Sequence, residues 1–239
     1  TLVSYAHFGT GNYHPVNARI YTDLSLFTCD RELCADAGQL FNYMTGYAEP
    51  AEMRKLIAAP LNMRAQLLTL IAAEAAAARD GKPAAIWAKM NALIDKEMID
   101  ALYEASQAGV QIDLIVRGIC CLIPGIKNMS ENIEVISIVD RFLEHARAFV
   151  FCNGGEPLVF LSSADWMRRN LDRRIEVAFP IYDLTLRQRL RSILDIQLQD
   201  TVKARVINRK LDNRMRSADG EGGVRSQYAV YDFWKSVVA

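Results

Sequence analysis

Four pairs of polar residues, each two positions apart, interrupt otherwise apolar runs of this sequence: Tyr21 with Asp23, Lys89 with Asn91, His145 with Arg147, and Arg174 with Glu176. Side chains two apart on a strand share a face, so each pair breaks a buried face at one place. Burying such groups without partners costs roughly 1 to 3 kcal/mol each, so they are expected to converge on one another or on a ligand. A strand edge explains any single pair, whereas four together favour a site. Their chemistry is consistent. The neutral imidazole of His145 can serve as nucleophile or proton acceptor, and carboxylates such as Asp23 and Glu176 can fix its tautomer. Arg147, Arg174 and Arg117, the last ending the apolar run IVRG, present planar forks suited to phosphate oxygens.

The other two histidines, His7 and His14, flank a small turn in YAHFGTGNYHP. That turn is neither GxGxxG nor a GKS/GKT loop, although its backbone amides can form an anion nest. Further along, MRRNLDRR sets Arg168, Arg169 and Arg173 close to Trp166. Such a run reads either as a solvated helix face or as the basic lining of a path for a polyanion.

The elements that must position these groups follow from periodicity. Residues 2 to 6 and 18 to 28 read as strands around the GTGNYHP turn. A helix then starts from the N-cap Asp30 and stops at Gly46, and YAEPAEMRKLIAAPLN, with two prolines, is a candidate linker. NMRAQLLTLIAAEAAAARDGKP is helical up to Gly81. Beyond it come the strand AAIWAKMN, a helix over 95–108, the strands VQIDLIVRG, IEVISIV, RAFVFCN, PLVFLSS and RIEVAFPI, and a helix over about 184–204. That order predicts an α/β domain, a mixed sheet flanked by helices. The last 30 residues, with SADGEGGVRSQ, read as an irregular tail. One internal echo stands out: residues 9–24 can be laid without a gap on 162–177, so that Tyr13 meets Trp166, Asn17 meets Asn170 and Asp23 meets Glu176. The echo suggests a duplicated half-domain with one site made from both halves.

The 239 residues are 51% hydrophobic, enough for a sizeable core in one large domain or two small ones. The 28 basic and 28 acidic residues balance, so an anionic ligand must be held by local arginines; general nucleic-acid binding is disfavoured. Five cysteines (Cys29, Cys34, Cys120, Cys121, Cys152) without CxxC spacing read as buried, reduced thiols, with neither zinc nor disulfides implied. No run of 18 apolar residues and no charged-then-apolar leader is present, which predicts a cytoplasmic protein and leaves room for peripheral contact with the inner membrane. The start at Thr1, directly before a strand-like LVSYA, reads as a chain cut from something longer.

Together the segments HFGTGNYHPVNARIYTDLSLFT, DLIVRGICCLIPG, SENIEVISIVDRFLEHARAFVF and SSADWMRRNLDRRIEVAFPI resemble the carboxy-terminal part of the bacterial polyphosphate kinases built on the phospholipase D-like fold. The resemblance runs along essentially the whole chain. It implies a phospholipase D-like mixed sheet, with residues 1–55 ending one catalytic half and 56–239 forming the second with its helix and tail. It further implies reversible transfer of the terminal phosphate of ATP to inorganic polyphosphate through a phosphohistidine, with magnesium. By similarity Tyr21 stacks on adenine, Arg117 contacts the nucleotide phosphates, and His145 lines the phosphate end of the nucleotide site. His145-x-Arg147 is similar, with arginine for lysine, to the H-x-K signature of phospholipase D-like enzymes. Arg174 and Glu176, with Arg147 and Asp23, belong to the phosphate and polyphosphate path.

In that family the phosphorylated histidine and the magnesium ligands lie upstream of the GTGN turn, outside this chain, so no metal ligand is carried over. His7 resembles a second catalytic histidine at the turn. Some members have arginine where this chain has Ile123. The implied partners are ATP or ADP, polyphosphate, the amino-terminal domains of the same enzyme, and further copies in a homo-oligomer; the fragment alone is expected to be inactive. The alternatives are a phospholipase D-like phosphodiesterase or nuclease, and a scaffold module that keeps the fold without chemistry. An orphaned strand pair at residues 1 to about 55 is expected to pack irregularly or to borrow a neighbour's edge.

Overall fold

Asp30 ends a run of strand-forming residues and accepts hydrogen bonds from the N–H groups of Glu32 and Leu33, at 3.1 and 2.9 Å, which starts the first helix. A carboxylate at this position satisfies donors that a helix leaves unpaired. The computed structural model describes residues 2–46, 52–216 and 222–238. In its first segment β1 (Ala6–Gly9), β2 (Tyr21–Thr22) and β3 (Ser25–Thr28) precede α1 (Arg31–Met44). The second continues with β4 (Ile57–Ala59), α2 (Met63–Arg79), β5 (Ala85–Met90), α3 (Lys96–Gln107), β6 (Gln111–Val116) and β7 (Ile133–Ile138). Then follow β8 (Leu143–Glu144), β9 (Arg147–Phe151), β10 (Leu158–Ser162), β11 (Glu176–Pro180), α4 (Leu184–Leu198), β12 (Ala204–Val206) and α5 (Ser226–Val238).

Eight strands form one mixed sheet in the order β12-β7-β6-β5-β9-β10-β11-β4. β5, β6 and β7 run parallel, and the other neighbours pair antiparallel. Alternation splits the buried residues between two faces. Ile86, Ala88 and Met90 join Leu67, Ile71, Met98 and Leu102 under α2 and α3, while Val150, Leu161 and Phe179 join Leu33, Leu190, Ile193 and Leu194 under α1 and α4. This is the α/β mixed sheet flanked by helices that the periodicity predicts.

The first segment lies outside that sheet. β1 and β3 form their own two-stranded ribbon, and β2 pairs in parallel with β8, so this piece does borrow an edge. The expected strands 2–6 and 18–28 are shifted: β1 begins only at Ala6, and residues 17–19 form a 3-10 turn before β2 and β3. The expected linker 47–62 is also corrected. Its Ile57–Ala59 are buried as the edge strand β4, where Pro60 can follow because one side needs no ladder donor; residues 47–51 lie outside the described residues.

The helix expected to reach about residue 204 ends at Leu198, since Asp200 gathers the N–H groups of Val202, Lys203 and Ala204 and turns the chain into β12. The expected irregular tail contains α5, whose Val230, Phe233 and Trp234 pack on the α4 face; residues 217–221 lie outside the described residues. Cys29 and Cys121 are exposed rather than buried, being placed in loops.

The internal echo has a structural counterpart. Shifting residue 9 onto 162 carries the ribbon register Gly9↔Ser25, Phe8↔Leu26 and His7↔Phe27 onto Ser162↔Ala178, Leu161↔Phe179 and Phe160↔Pro180. It also carries a polar knot. Thr10 N donates to Leu24 O, Leu24 N donates to Thr10 Oγ1, and Thr10 Oγ1 donates to Asp23, with distances of 2.9, 3.0 and 3.0 Å. Ser163 N donates to Val177 O, Val177 N donates to Ser163 Oγ, and Ser163 Oγ donates to Glu176, at 3.0, 3.1 and 2.5 Å. The same shift sets the N-cap Asp30 of α1 on the N-cap Asp183 of α4.

Candidate functional site

β5 and β6 end together at Met90 and Val116, while their antiparallel neighbour β9 begins at Arg147 and β10 ends at Ser162. Asn91, Arg117, His145, Arg147 and Asp165 therefore gather at one end of the sheet's central strands. Open α/β sheets place ligands at the carboxyl ends of their parallel strands.

His145 lies on the short connection between β8 and β9. Its N–H donates to Thr22 O at 2.9 Å, which ties it to the first segment. Its ring stacks on Tyr21 with centroids 4.6 Å apart and planes at 28°. Arg117 Nη2 stands 3.4 Å from His145 Nδ1, and Arg117 Nε is buried without a hydrogen-bond partner among the described residues. A buried cationic N–H left unpaired is costly and asks for an anion. Burial, then the positive charge of Arg147, depress the His145 pKa below its ordinary value; Asp23 and Asp165 oppose this and Arg117 adds to it. His145 is accordingly neutral near pH 7, with its ring nitrogens available.

Arg147 forms a two-pronged pair with Asp165, Nε to Oδ1 at 3.1 Å and Nη2 to Oδ2 at 2.8 Å, both residues being 4 to 5% exposed. Its Nη1 donates to the carbonyls of His145 at 2.8 Å and Thr10 at 3.4 Å. Four of its five N–H groups are thus engaged, against the expectation of a phosphate fork. Asp165 belongs to none of the polar pairs of the sequence. It also accepts the N–H groups of Asn91 and Ala92 at 2.7 and 3.2 Å. Burial alone would raise its pKa, but the Arg147 guanidinium and these N–H groups outweigh it and hold the carboxylate below its usual range. The signal available in the sequence was an acid just after one apolar strand and an arginine just before its neighbour.

The other candidates fall around this centre. Asp23 accepts from Thr10, and Glu176 from Ser163 and Asn170; neither hydrogen-bonds His145 among the described contacts. A Cβ on Gly11 would come within 2.1 Å of Asp23 Oδ2, so only glycine lets the turn close over this carboxylate. Arg174 is exposed just before β11 and has no ion pair among the described residues. Lys89 points to the opposite face, where it pairs with Glu144, whose Oε2 also accepts from Gln197 at 2.7 Å. His7 is exposed on β1, with Tyr13 Oη at 2.6 Å from Nδ1 and at 3.0 Å from its own carbonyl. The hydroxyl has one proton, so when it donates to the carbonyl, His7 carries its proton on Nδ1 and offers Nε2. His14 only accepts from Asn17 N at 3.3 Å.

In the basic run, Arg64 of α2 grips Asp172 at 2.9 Å and the α3 N-cap Asp95 at 2.6 Å, an anchor that joins three distant stretches of sequence. Below the site a cavity of about 340 Å³ opens between the sheet, α4 and α5, lined by Leu24, Phe142, Ala146, Ile193, Val230 and Trp234. Among the described residues no group of three or more His, Cys, Asp or Glu could hold a metal, and no helix is long and apolar enough to cross a membrane.

Two family models match the chain: polyphosphate kinase C-terminal domain 1 over residues 1–50 and polyphosphate kinase C-terminal domain 2 over residues 56–227. Curated polyphosphate kinases from Vibrio vulnificus (strain YJ016) and Escherichia coli (strain K12) are 51% and 47% identical over 236 residues, 99% of this chain. The chain spans about a third of those relatives, 34% of each. The crystal structure of the polyphosphate kinase from Porphyromonas gingivalis superposes with a TM-score of 0.94 at 45% identity, covering 98% of this chain and 36% of that one.

Proposed function

The chain belongs to the polyphosphate kinase family, and we propose that it is the carboxy-terminal part of an enzyme that reversibly transfers the terminal phosphate of ATP to inorganic polyphosphate. The observation that carries the reading within the chain is the unpaired, buried Arg117 Nε beside a neutral His145. Phosphoryl transfer depends on in-line positioning and charge neutralisation, and a partly buried arginine fork supplies both for nucleotide phosphates. The outer face of Tyr21, whose inner face rests on His145, is the platform for the adenine ring. Arg174, exposed and without a partner among the described residues, meets polyphosphate. Arg147 holds the backbone of His145 in place rather than contacting phosphate.

Residues 1–55 close one catalytic half and 56–239 form the other. The repeated ribbon and polar knot support this division, and the same shift lays His145 on a position upstream of Thr1, where the phosphorylated histidine would stand. Among the described residues no group of three or more His, Cys, Asp or Glu could hold a magnesium ion, and its ligands are assigned to the rest of the enzyme. Against the phosphodiesterase alternative, the arginine of His145-x-Arg147 has only one N–H left for a substrate.

The test is radiolabel transfer by the intact enzyme. With γ-labelled ATP it should form acid-insoluble polyphosphate and an acid-labile phosphoenzyme. An enzyme that forms neither, yet hydrolyses a model phosphodiester, would overturn the proposal.

A further inference from the structure

His145 sits on residues 139–146, which cross between β7 and β9 outside the eight-stranded sheet. Their strand pairing is the two-residue bridge to β2. Such a segment needs other restraints to hold a side chain still: Glu144 and His145 are held by Lys89, Gln197, Thr22 and Arg147, whereas Asp140 and Phe142 are held by α5 and the residue before it. Phe142 N donates to Gln227 Oε1 and Gln227 Nε2 donates back to Phe142 O, both at 2.8 Å, so one buried amide imitates a strand partner. Two residues earlier Asp140, with a side chain 2% exposed, takes both prongs of Arg225 at 2.6 and 2.8 Å. Ser226 N in turn is fixed by Asp200 at 2.8 Å, and Val230, Phe233 and Trp234 bury the helix against the sheet.

From this we propose that α5 and the residue before it form a clamp that positions His145, with Gln227 and Arg225 as its positioning residues. The inference rests on the proposed role of His145 in phosphoryl transfer. Neither residue touches the site; they act by fixing Asp140 and Phe142, and through them the approach of the imidazole to Tyr21 and Arg117. A displacement of about 1 Å at a reacting group can cost a hundredfold in rate, so even a small slackening should be measurable.

The experiment replaces Gln227 with Met, which keeps the volume and removes both hydrogen bonds, and separately Arg225 with Met. In the full-length enzyme Gln227→Met should lower kcat by on the order of tenfold or more, leave the KM for polyphosphate unchanged, and keep the circular dichroism spectrum. Arg225→Met should do the same, with Arg225→Lys recovering part of the rate. Asp232→Asn, at an exposed position of the same helix, should behave as wild type.

A second readout does not depend on activity. In the full-length enzyme the His145 imidazole can be followed by NMR titration, its signal assigned by its absence from a His145→Gln variant. The groups facing it are Arg117 from the end of β6, Arg147 from β9, Asp23 from the β2–β3 turn and Asp165 after β10, with Glu144 adjacent and held by Lys89 and Gln197. Loosening the clamp exposes the ring, and its depressed midpoint should rise toward the ordinary value of about 6.5. A folded Gln227→Met enzyme with kcat within about twofold of wild type, or an unmoved His145 midpoint, would overturn the clamp. A wild-type enzyme that makes no polyphosphate would instead overturn the functional reading, while the titration still decides on the clamp.

Discussion

In the proposed phosphoryl transfer His145 is the central residue, and its surroundings make specific demands. His145→Ala should lower polyphosphate synthesis by the intact enzyme far more than His14→Ala, since His14 only accepts from the backbone of its own turn; equal losses would count against the assignment. Because its folded pKa is depressed, the unfolded chain binds its proton more readily. The stability that neutral His145 contributes is therefore complete above about pH 6.5 and lost as pH falls through the folded value. Tyr21→Ala should raise the KM for ATP more than that for polyphosphate, read from steady-state kinetics with each substrate varied. Asp165→Asn strands a buried guanidinium and should cost about 3 to 5 kcal/mol in urea unfolding. Asp165 also contributes to acid sensitivity. Its lowered pKa gives stability above about pH 3.9 that is lost as pH falls toward the folded value. The fold brings together Tyr21, Arg117, His145 and Arg147, which their residue types single out, but their partners were not legible. Arginines look alike in a sequence, and only burial distinguishes Arg147, closed around Asp165, from Arg117, which keeps an unpaired N–H.

Among the elements, strong periodicity translated directly: the core strands β5, β6, β7, β9 and β10 and the helices α1 and α3 stand where their patterns and caps placed them. The echo between residues 9–24 and 162–177 was legible because the repeated knot uses small hydroxyl residues and carboxylates at fixed spacing. Gly11→Ala probes the closeness of this turn to Asp23: the new methyl would collide with its carboxylate, so the variant should lose about 1 to 3 kcal/mol and part of its activity, measured by thermal unfolding and rate. Elements built from long-range pairing were less legible. β4 is three residues long and owes its place to β11, and β2 owes its place to β8. α5 was hidden by the glycine-rich stretch before it, although Val230, Phe233 and Trp234 carry helical spacing.

At the scale of the whole molecule, balanced charge leaves the proposed anion binding to a few arginines at one end of the central strands, and that end draws groups from both segments. The 239-residue chain by itself should incorporate no labelled phosphate from ATP into polyphosphate; incorporation would show that the phosphorylated group lies within it. Asp200 has a consequence of another kind. Fully buried, it joins the end of α4 to Ser226, while Val206 N reaches Arg214 O and Arg216 N reaches Ala204 O, both at 2.9 Å. The exposed excursion around Arg209 and Lys210 is thereby bridged at its base. Trypsin cutting there should yield a nicked protein whose two pieces migrate together on a native gel and separate only in denaturant, so that α5 could be exchanged as a separate peptide without rebuilding the rest.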